Sequence, residues 1–304
     1  MRTRRCSHAL LVFAVLLLTG CSAAAGLPAE PRLAAGTIRI AAYDFRENQT
    51  LAAVYAEAVR RAGLPVTVQS GVGTREIVEP ALEQAKADVV IEYLGTAEAF
   101  VRRGEPSKAA TADVRAALAR ALGPRGVTVL EPAQAEDQNG FAVSSAFAAE
   151  HHVGKLSELG PLAGGLTFGG PPECPGRPLC LPGLEQVYGL QFGQVVSMSS
   201  RSATVEALVA GQIQVGLLET TDARLQTAPV LLLLDDRSLQ PHENVVPLVR
   251  TAVLDRWGDR LREALDGVSA RLTTQELVAL NRAVEIDGLT PEAAARDWWA
   301  RQDP

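Results

Sequence analysis

The chain has 304 residues, with 35 acidic against 29 basic side chains and a formal net charge of −6. That length suits one large or two medium-sized folded units. An acidic chain without basic tracts argues against nucleic acid as a partner and fits small polar ligands better.

The first twenty residues resemble a bacterial lipoprotein signal peptide. Arg2, Arg4 and Arg5 precede the apolar stretch "ALLVFAVLLLTG", which is too short to count as a membrane span. The stretch runs into "LTGC", and Cys21 is the residue that such proteins lipidate after the signal is removed. The alternative is an ordinary secretory signal followed by an incidental cysteine.

Residues 21–36 are small and proline-containing, and they predict a flexible tether. Removal of residues 1–20 takes away three arginines and no acid, so the net charge moves from −6 to −9. No later stretch is apolar over enough residues to cross a bilayer. We therefore expect an exported protein, anchored by lipid to the outer face of the cell membrane, that is not itself a channel.

Strand-like and helix-like segments alternate in the first half of the mature chain. Residues 37–43 form a short apolar run, and 48–63 carry apolar side chains at helical spacing, with Asn48 placed to cap the helix and Gly63 to end it. Further strands are predicted at 66–71, 88–93 and 126–133, and further helices at 73–87, 96–104 and 111–123. This alternation predicts a mainly parallel sheet with helices on both faces.

The alternation resumes at Gly140 and gives way to helices after Arg250. Strands are predicted at 140–145, 165–170, 195–200, 215–222, 229–236 and 244–250. Helices are predicted at 182–190, 202–212, 252–272, 273–287 and 290–302. Thr273 and Thr290 are placed to start the last two helices.

Polar breaks near residues 131–140 and 240–244 divide the chain into two α/β lobes. One lobe is predicted from 37–138 together with 246–304, and the other from 139–245, joined by two crossing strands. Ligands in open parallel sheets bind beyond the carboxyl ends of the strands. The strand that ends in Glu92 and Tyr93 is therefore expected to stop at a ligand-binding cleft.

The two cysteines that remain in the mature domain are Cys174 and Cys180. In an exported chain such a pair is most often a disulfide that closes a short loop. A metal site is the alternative, but it needs further cysteine or histidine ligands, and none lie close in sequence.

The enzyme motifs that we sought are absent from the sequence. It contains no G-x-S-x-G, H-E-x-x-H or P-loop pattern, and the glycine-rich stretch at 71–76 falls short of the dinucleotide fingerprint. Aromatic residues make up only 5% of the chain, so their positions are informative. Tyr43, Tyr93 and Phe141 fall at strand ends or lobe junctions, which favours a binding protein and requires no cofactor.

Four segments resemble the substrate-binding proteins of glycine betaine, choline and carnitine ABC importers, the OpuAC-like family with a type II periplasmic-binding-protein fold. They are residues 92–96, 177–190, 207–222 and 272–299. The resemblance runs from about Ile38 to Trp299. It implies an α/β fold of two lobes and a ligand that carries a quaternary ammonium group.

The resemblance also implies roles for individual residues. A quaternary ammonium has no N–H to donate, so aromatic faces hold it by cation–π attraction. Tyr93 and Phe141 fall at two cage positions of the family, with Asn139 beside the cage. Thr96 and Arg177 fall where contacts to a ligand carboxylate are expected.

Three positions depart from the family pattern. Glu219 and Asn244 stand where the family often has aromatic residues, and Tyr43 stands where it often has a lysine. Two aromatic walls are thus lost and one is gained. Glu219 either faces the cleft and meets a polar or cationic group of the ligand, or it turns outward or pairs with Arg177 or Arg201 in the empty protein.

The resemblance implies that the protein delivers its ligand to a membrane permease driven by a separate ATPase. Glycine betaine, choline or a related amine is the expected ligand, and a different polar cation or zwitterion is the alternative. A ligand sensor without transport and an exported enzyme are the hypotheses from other classes.

Overall fold

The computed structural model describes residues 36–302, and the predicted signal peptide, lipidation site and most of the tether lie outside that range. The first sheet has the strand order β2-β1-β3-β10-β4. Its strands are β1 (Ile38–Ala41), β2 (Val66–Gln69), β3 (Val89–Tyr93), β4 (Val127–Val129) and β10 (Val245–Arg250). In this sheet β10 runs antiparallel to β3 and β4, whereas β1 pairs in parallel with β2 and β3.

The second sheet repeats this pattern with the strand order β7-β6-β8-β5-β9. Its strands are β5 (Asn139–Ser144), β6 (Thr167–Gly170), β7 (Gln194–Ser197), β8 (Val215–Glu219) and β9 (Val230–Leu232). Here β5 is the antiparallel strand. We call each sheet with its helices a lobe, the first lobe containing β1 and the second containing β5.

Two chain segments connect the sheets and lie side by side. The Ala133 N–H donates to the Val245 carbonyl at 2.8 Å, and the Val245 N–H donates to Ala135 at 2.9 Å. The Asp137 N–H continues the pairing to the Glu243 carbonyl. Each segment leads directly into the antiparallel strand of the next lobe, which explains why each sheet carries one reversed strand.

Helices cover both faces of the first sheet and flank the second. In chain order they are α1 (Arg46–Arg61), α2 (Arg75–Glu83), α3 (Leu94–Arg102), α4 (Thr111–Leu122), α5 (Ser145–His151), α6 (Leu181–Gly183), α7 (Arg201–Val209), α8 (Thr251–Trp257), α9 (Asp259–Ser269), α10 (Thr274–Glu285) and α11 (Pro291–Gln302). The buried face of α1 packs with α9, α10 and α11 over one face of the first sheet. Trp298 is fully buried in that core. The α/β architecture that the sequence predicts, two mainly parallel sheets flanked by helices, is confirmed.

Helix α1 begins earlier than predicted, and the role assigned to Asn48 is wrong. Phe45 occupies the position before the first turn, and Asn48 is buried inside the helix. Its side chain accepts from the Tyr43 N–H at 2.9 Å and donates to the Ile91 carbonyl at 2.8 Å. Asn48 therefore fastens α1 to the ends of β1 and β3 instead of capping the helix.

The predicted helix at 252–272 is two helices in the structure. Gly258, between α8 and α9, has φ 62° and ψ −149°. Side chains larger than hydrogen rarely adopt that backbone conformation. Thr273 and Thr290 do start their helices, since each hydroxyl accepts a first-turn N–H.

Cys174 and Cys180 form a disulfide, as predicted, with their Cα atoms 5.4 Å apart. Both cysteines are buried in the second-lobe core. The six-residue sequence separation closes a short loop that ends where α6 begins. Such a crosslink stabilises a fold by restricting the unfolded chain.

We expect the double variant Cys174→Ala/Cys180→Ala to lower the free energy of unfolding by about 2 kcal/mol, the entropy that a short loop removes from the unfolded state. Urea unfolding with and without a reducing agent measures this. Reductant should destabilise the wild type and leave the double variant unchanged. Equal stability of the oxidised and reduced wild type would contradict the prediction.

Candidate functional site

A cleft of about 920 Å³ is lined by residues of both lobes. The first lobe contributes Tyr43, Asp44, Phe45, Arg75, Tyr93 and Thr96, among others, and the second contributes Asn139, Arg177, Leu179, Arg201 and Leu217. The first-lobe residues follow β1 and β3 or begin α2 and α3. The cleft thus lies beyond the carboxyl ends of parallel strands, where the alternation of strands and helices placed it.

Three aromatic rings form one wall of the cleft. The Phe45 ring lies 5.9 Å from the Tyr43 ring, nearly parallel to it, and 6.0 Å from the Tyr93 ring. Phe45 is 43% exposed, whereas Tyr43 and Tyr93 are 2% and 6% exposed. Phe45 therefore presents the most accessible aromatic face to a ligand, and the tyrosines back it.

The Glu92 side chain lies beneath this wall and is fully buried. Arg75 binds it through two hydrogen bonds, Nε to Oε1 at 2.9 Å and Nη2 to Oε2 at 2.8 Å. The Tyr43 hydroxyl also donates to Glu92, and burial beside that carboxylate raises the pKa of Tyr43 well above its ordinary value. Arg75 reaches Thr96 Oγ1 at 2.9 Å, so one ion pair positions both Tyr43 and Thr96.

The second-lobe wall of the cleft presents arginine side chains, whereas the first-lobe wall presents aromatic rings. Arg201 lines the cleft and is held by both oxygens of Glu219. Arg177 is more exposed and reaches across to Glu76 of α2, with 3.6 Å between Nη1 and Oε1. That pair links the two lobes across the cleft. Hydrogen bonding with the Thr74 side chain is the main cause that lowers the pKa of Glu76, and the charge of Arg177 contributes less.

Five of the eight predicted ligand-binding residues line the cleft: Tyr43, Tyr93, Thr96, Asn139 and Arg177. The other three do not. Phe141 is 1% exposed and packs 6.3 Å from the Phe168 ring, two residues deeper along β5 than Asn139. Glu219 is engaged with Arg201, the second of the two arrangements expected for it.

Asn244, the third of these residues, belongs to a crossing segment. Its side chain accepts from the Thr111 hydroxyl at 2.9 Å and donates to the Ala133 carbonyl at 3.0 Å. The first bond ties a crossing segment to α4 of the first lobe, and the second joins the two crossing segments to each other. Asn244 therefore fastens the crossing segments and does not line the cleft.

The Tyr93 hydroxyl leads to a buried polar cluster between the lobes. It donates to Glu47 Oε1 at 2.6 Å, and Asn281 Nδ2 donates to Glu47 Oε2 at 2.6 Å. Thr221 of the second lobe lies 2.6 Å from the same Glu47 oxygen and 2.8 Å from Asp137 Oδ1. Burial is the main cause that raises the pKa of Glu47 and that of Asp137.

A further buried carboxyl, Glu243, lies at the start of α3. It accepts the N–H groups of Gly95 and Thr96, each at 3.1 Å. Burial raises the pKa of Glu243 from 4.5 to about 8. Gly95 lies close to the neighbouring crossing segment, because a Cβ at this position would lie 2.8 Å from the His242 carbonyl oxygen.

Sequence reasoning missed Phe45, Arg75 and Glu47 as cleft or near-cleft residues. Phe45 follows Tyr43 by two positions, and a search for every aromatic after a strand would have found it. Arg75 stands in the glycine-rich stretch at 71–76, which falls short of the dinucleotide fingerprint and so suggested no role for its side chain. No local signal marks Glu47, because its partners are distant in sequence.

Two mainly parallel sheets, joined by paired crossing segments with a lined cleft between them, define a solute-binding protein of the two-lobe α/β class. The chain belongs to the family described as the substrate binding domain of the ABC-type glycine betaine transport system, which matches residues 36–301. It is a family of transport proteins, and not one of enzymes.

Individual relatives agree with this assignment. The chain is 29% identical to a glycine-betaine-binding protein of Pseudomonas aeruginosa, over 93% of each chain. Its fold is similar to a crystal structure of a glycine betaine/carnitine/choline ABC transporter protein, with a TM-score of 0.76 at 20% identity, covering 87% of this chain and 98% of the other. It is also similar to a choline-binding protein in complex with choline, with a TM-score of 0.63 at 18% identity, covering 88% and 89%. Among residues 36–302, no helix has the length and apolar character needed to cross a membrane.

The raised pKa of Glu243 predicts a pH-dependent stability. The folded protein holds this proton more tightly than the unfolded chain, so its contribution is present at low pH and is lost as pH rises from 4.5 through about 8. One pKa unit corresponds to about 1.4 kcal/mol. Unfolding free energy should therefore fall by about 4 kcal/mol between pH 5 and pH 8.5 through this group. We expect Glu243→Gln, which mimics the protonated carboxyl, to remove most of that fall.

Urea unfolding across that pH range measures the effect. Glu131→Gln removes an exposed carboxylate of the first lobe and serves as the control, with the wild-type slope expected. A Glu243→Gln profile as steep as that of the wild type would show that Glu243 does not hold the proton.

Proposed function

We propose that this protein captures a quaternary-amine solute of the glycine betaine or choline type outside the cytoplasm and delivers it to the permease of an ABC importer. The observation that carries the proposal is the wall of Tyr43, Phe45 and Tyr93 inside a cleft between two lobes. Family membership and the relatives named above support the same ligand class.

The aromatic wall suits a cation that cannot donate hydrogen bonds. A quaternary ammonium is attracted to the face of an aromatic ring by about 0.5–2 kcal/mol, more when water is excluded. Phe45 offers an exposed face, and Tyr43 and Tyr93 are held by hydroxyl bonds to buried carboxylates. The rings are therefore positioned before the ligand arrives, which lowers the ordering cost of binding.

The rest of the predicted site would hold the remainder of the ligand. Arg177 and Thr96 line the cleft and offer N–H and O–H donors to a carboxylate, where the ligand has one. Asn139 lies beside them and reaches the Leu179 carbonyl at 3.3 Å. The other three predicted residues would act behind the surface of the cleft. Phe141 would support the second-lobe core, Glu219 would hold Arg201, and Asn244 would fasten the crossing segments.

We propose that the two lobes, residues 37–138 with 246–304 and residues 139–245, close on the ligand by bending at the crossing segments. The Arg177–Glu76 pair spans the cleft and supports a closed form. The sequence "LTGC" supports attachment of lipid to Cys21 and thus a location at the outer face of the cell membrane. A separate ATPase would drive the permease.

The binding proposal predicts that Phe45→Ala weakens binding of both glycine betaine and choline about tenfold, since both carry the same trimethylammonium group. Isothermal titration calorimetry with the two ligands measures this. Phe147→Ala is a matched control, because Phe147 stacks on His151 in the second lobe, and the lining of the cleft does not include it.

Each result has a distinct meaning. Failure of the wild type to bind either ligand, with binding of a different amine or amino acid, would overturn the proposed ligand class. Wild-type affinity in Phe45→Ala would instead remove Phe45 from the site.

A further inference from the structure

One hydroxyl lies between two carboxylates at the junction of the lobes. Thr221 Oγ1 is 2.6 Å from Glu47 Oε2 and 2.8 Å from Asp137 Oδ1. Both are hydrogen-bond distances, but a hydroxyl has a single proton to donate. Two ionised carboxylates can only accept, so one of the two contacts would join unshared electron pairs.

The bonding around Glu47 shows where an additional proton belongs. Tyr93 and Asn281 already donate to Glu47, and Thr221 lies closest to that same carboxylate. Glu47 therefore has three donors and is the ionised partner. Asp137 then needs the proton, which it can donate to Thr221 Oγ1 while Thr221 donates onward to Glu47.

We propose that Asp137, Thr221 and Glu47 form a proton relay that holds Tyr93 in the cleft wall and fastens the second lobe to the first, so that solute capture depends on one proton. The inference rests on the proposed function, since it concerns the affinity of that site. Glu47 acts through Tyr93 and is a positioning residue.

The relay crosses the moving parts of the molecule. Glu47 begins α1 of the first lobe, Asp137 lies on a crossing segment, and Thr221 follows β8 of the second lobe. Opening of the lobes would draw Thr221 and Asp137 away from Glu47. Loss of the proton would favour such opening, because two carboxylates that share one hydroxyl repel each other in a buried setting.

Other charged groups lie near the relay, and the two arginines among them are paired with carboxylates outside it. Glu219 adds negative charge, and Arg201 is engaged with Glu219. Asp222 is paired with Arg224, which also binds Glu285 of α10. Burial, together with the charges of Glu47 and Glu219, raises the pKa of Asp137 well above its ordinary value of 3.8.

The direction of the pH effect follows from linkage. The closed form brings the carboxylates together and holds the proton more tightly than the open form, so solute binding takes up a proton. Affinity is therefore highest at low pH and falls as the pH rises through the raised pKa of Asp137. Neither probe ligand changes charge in the neutral range, so the effect belongs to the protein.

Calorimetric titration of the protein with glycine betaine and with choline, from pH 5 to pH 9, tests the relay. We expect wild-type affinity for both ligands to fall at least threefold across the range. Asp137→Asn, whose amide can donate to Thr221 without a titrating proton, should give a profile that lacks this fall. Thr221→Val, which keeps the side-chain shape, should bind more weakly at pH 5 and also lose the fall.

The difference between the wild type and Asp137→Asn is diagnostic, because burial also raises the pKa of Glu79 to about 7 and that of Glu243 to about 8 near the cleft. Asp266→Asn is the matched control: burial raises the pKa of this carboxyl in α9, which accepts the Glu131 N–H and does not line the cleft, so its profile should equal that of the wild type. Equal pH profiles for the wild type and Asp137→Asn would overturn the relay.

A second readout needs no ligand. The relay makes the free energy of unfolding fall as pH rises above 3.8, because the folded protein holds the Asp137 proton more tightly than the unfolded chain does. Urea unfolding of Asp137→Asn should show a flatter pH dependence than the wild type, and an identical dependence would refute the relay. Failure of both ligands to bind at any pH would count against the proposed function. The relay would then be tested by comparing the pH dependence of unfolding in the wild type and in Asp137→Asn.

Discussion

The buried ion pair between Glu92 and Arg75 is the interaction on which the first-lobe wall depends. An ionised carboxylate without exposure to water costs several kcal/mol unless it is paired and hydrogen-bonded. Glu92 meets that requirement with two bonds from Arg75, one from the Tyr43 hydroxyl and one from the Tyr93 N–H. Each bond that offsets the burial of Glu92 also fixes a residue at the surface of the cleft. The hydrogen bonds to Glu92 therefore both stabilise the first lobe and fix the side chains of the aromatic wall.

The two walls of the cleft differ in chemistry, and this difference suits a ligand with two unlike ends. The first lobe offers the rings of Tyr43, Phe45 and Tyr93. The second offers guanidinium groups, with Arg201 held by Glu219 and Arg177 extended toward Glu76. Where the family often has an aromatic at position 219, this chain has a carboxylate that orients an arginine instead. Under the proposed function, cation recognition would therefore be concentrated in the first lobe, where Phe45 lies beside Tyr43 and Tyr93.

The sequence predicts much of this architecture because strand and helix periodicity is local. The β/α alternation, the cleft at the end of β3 and the disulfide all follow from patterns a few residues long. Helix α1 shows the limit: Asn48 has the identity of a cap, but it is bonded to Ile91, 43 residues away, through a contact that periodicity does not encode. Phe141 shows a second limit. Its position on β5 is predicted correctly, but its burial depends on Phe168 of a different strand. Pattern reasoning does not reach site residues that are fixed by contacts between distant segments, such as Arg75 in its ion pair with Glu92 and Glu47 in its hydrogen bonds with Tyr93, Thr221 and Asn281.

The hinge region combines mechanical and electrostatic roles in few residues. Main-chain pairing joins the two crossing segments, at which the lobes are proposed to bend, and Asn244 and Asp137 belong to those same segments. Asn244 is bonded only within the first lobe and its adjoining segment, so bending does not have to break its contacts. Asp137 instead meets Thr221 of the second lobe, which in turn meets Glu47. Glu47 also accepts the Tyr93 hydroxyl. Thr221 of the second lobe and Tyr93 of the cleft wall are therefore bonded to the same carboxylate. If the lobes move as proposed, the change would reach the cleft wall through two hydrogen bonds, from Thr221 to Glu47 and from Tyr93 to Glu47.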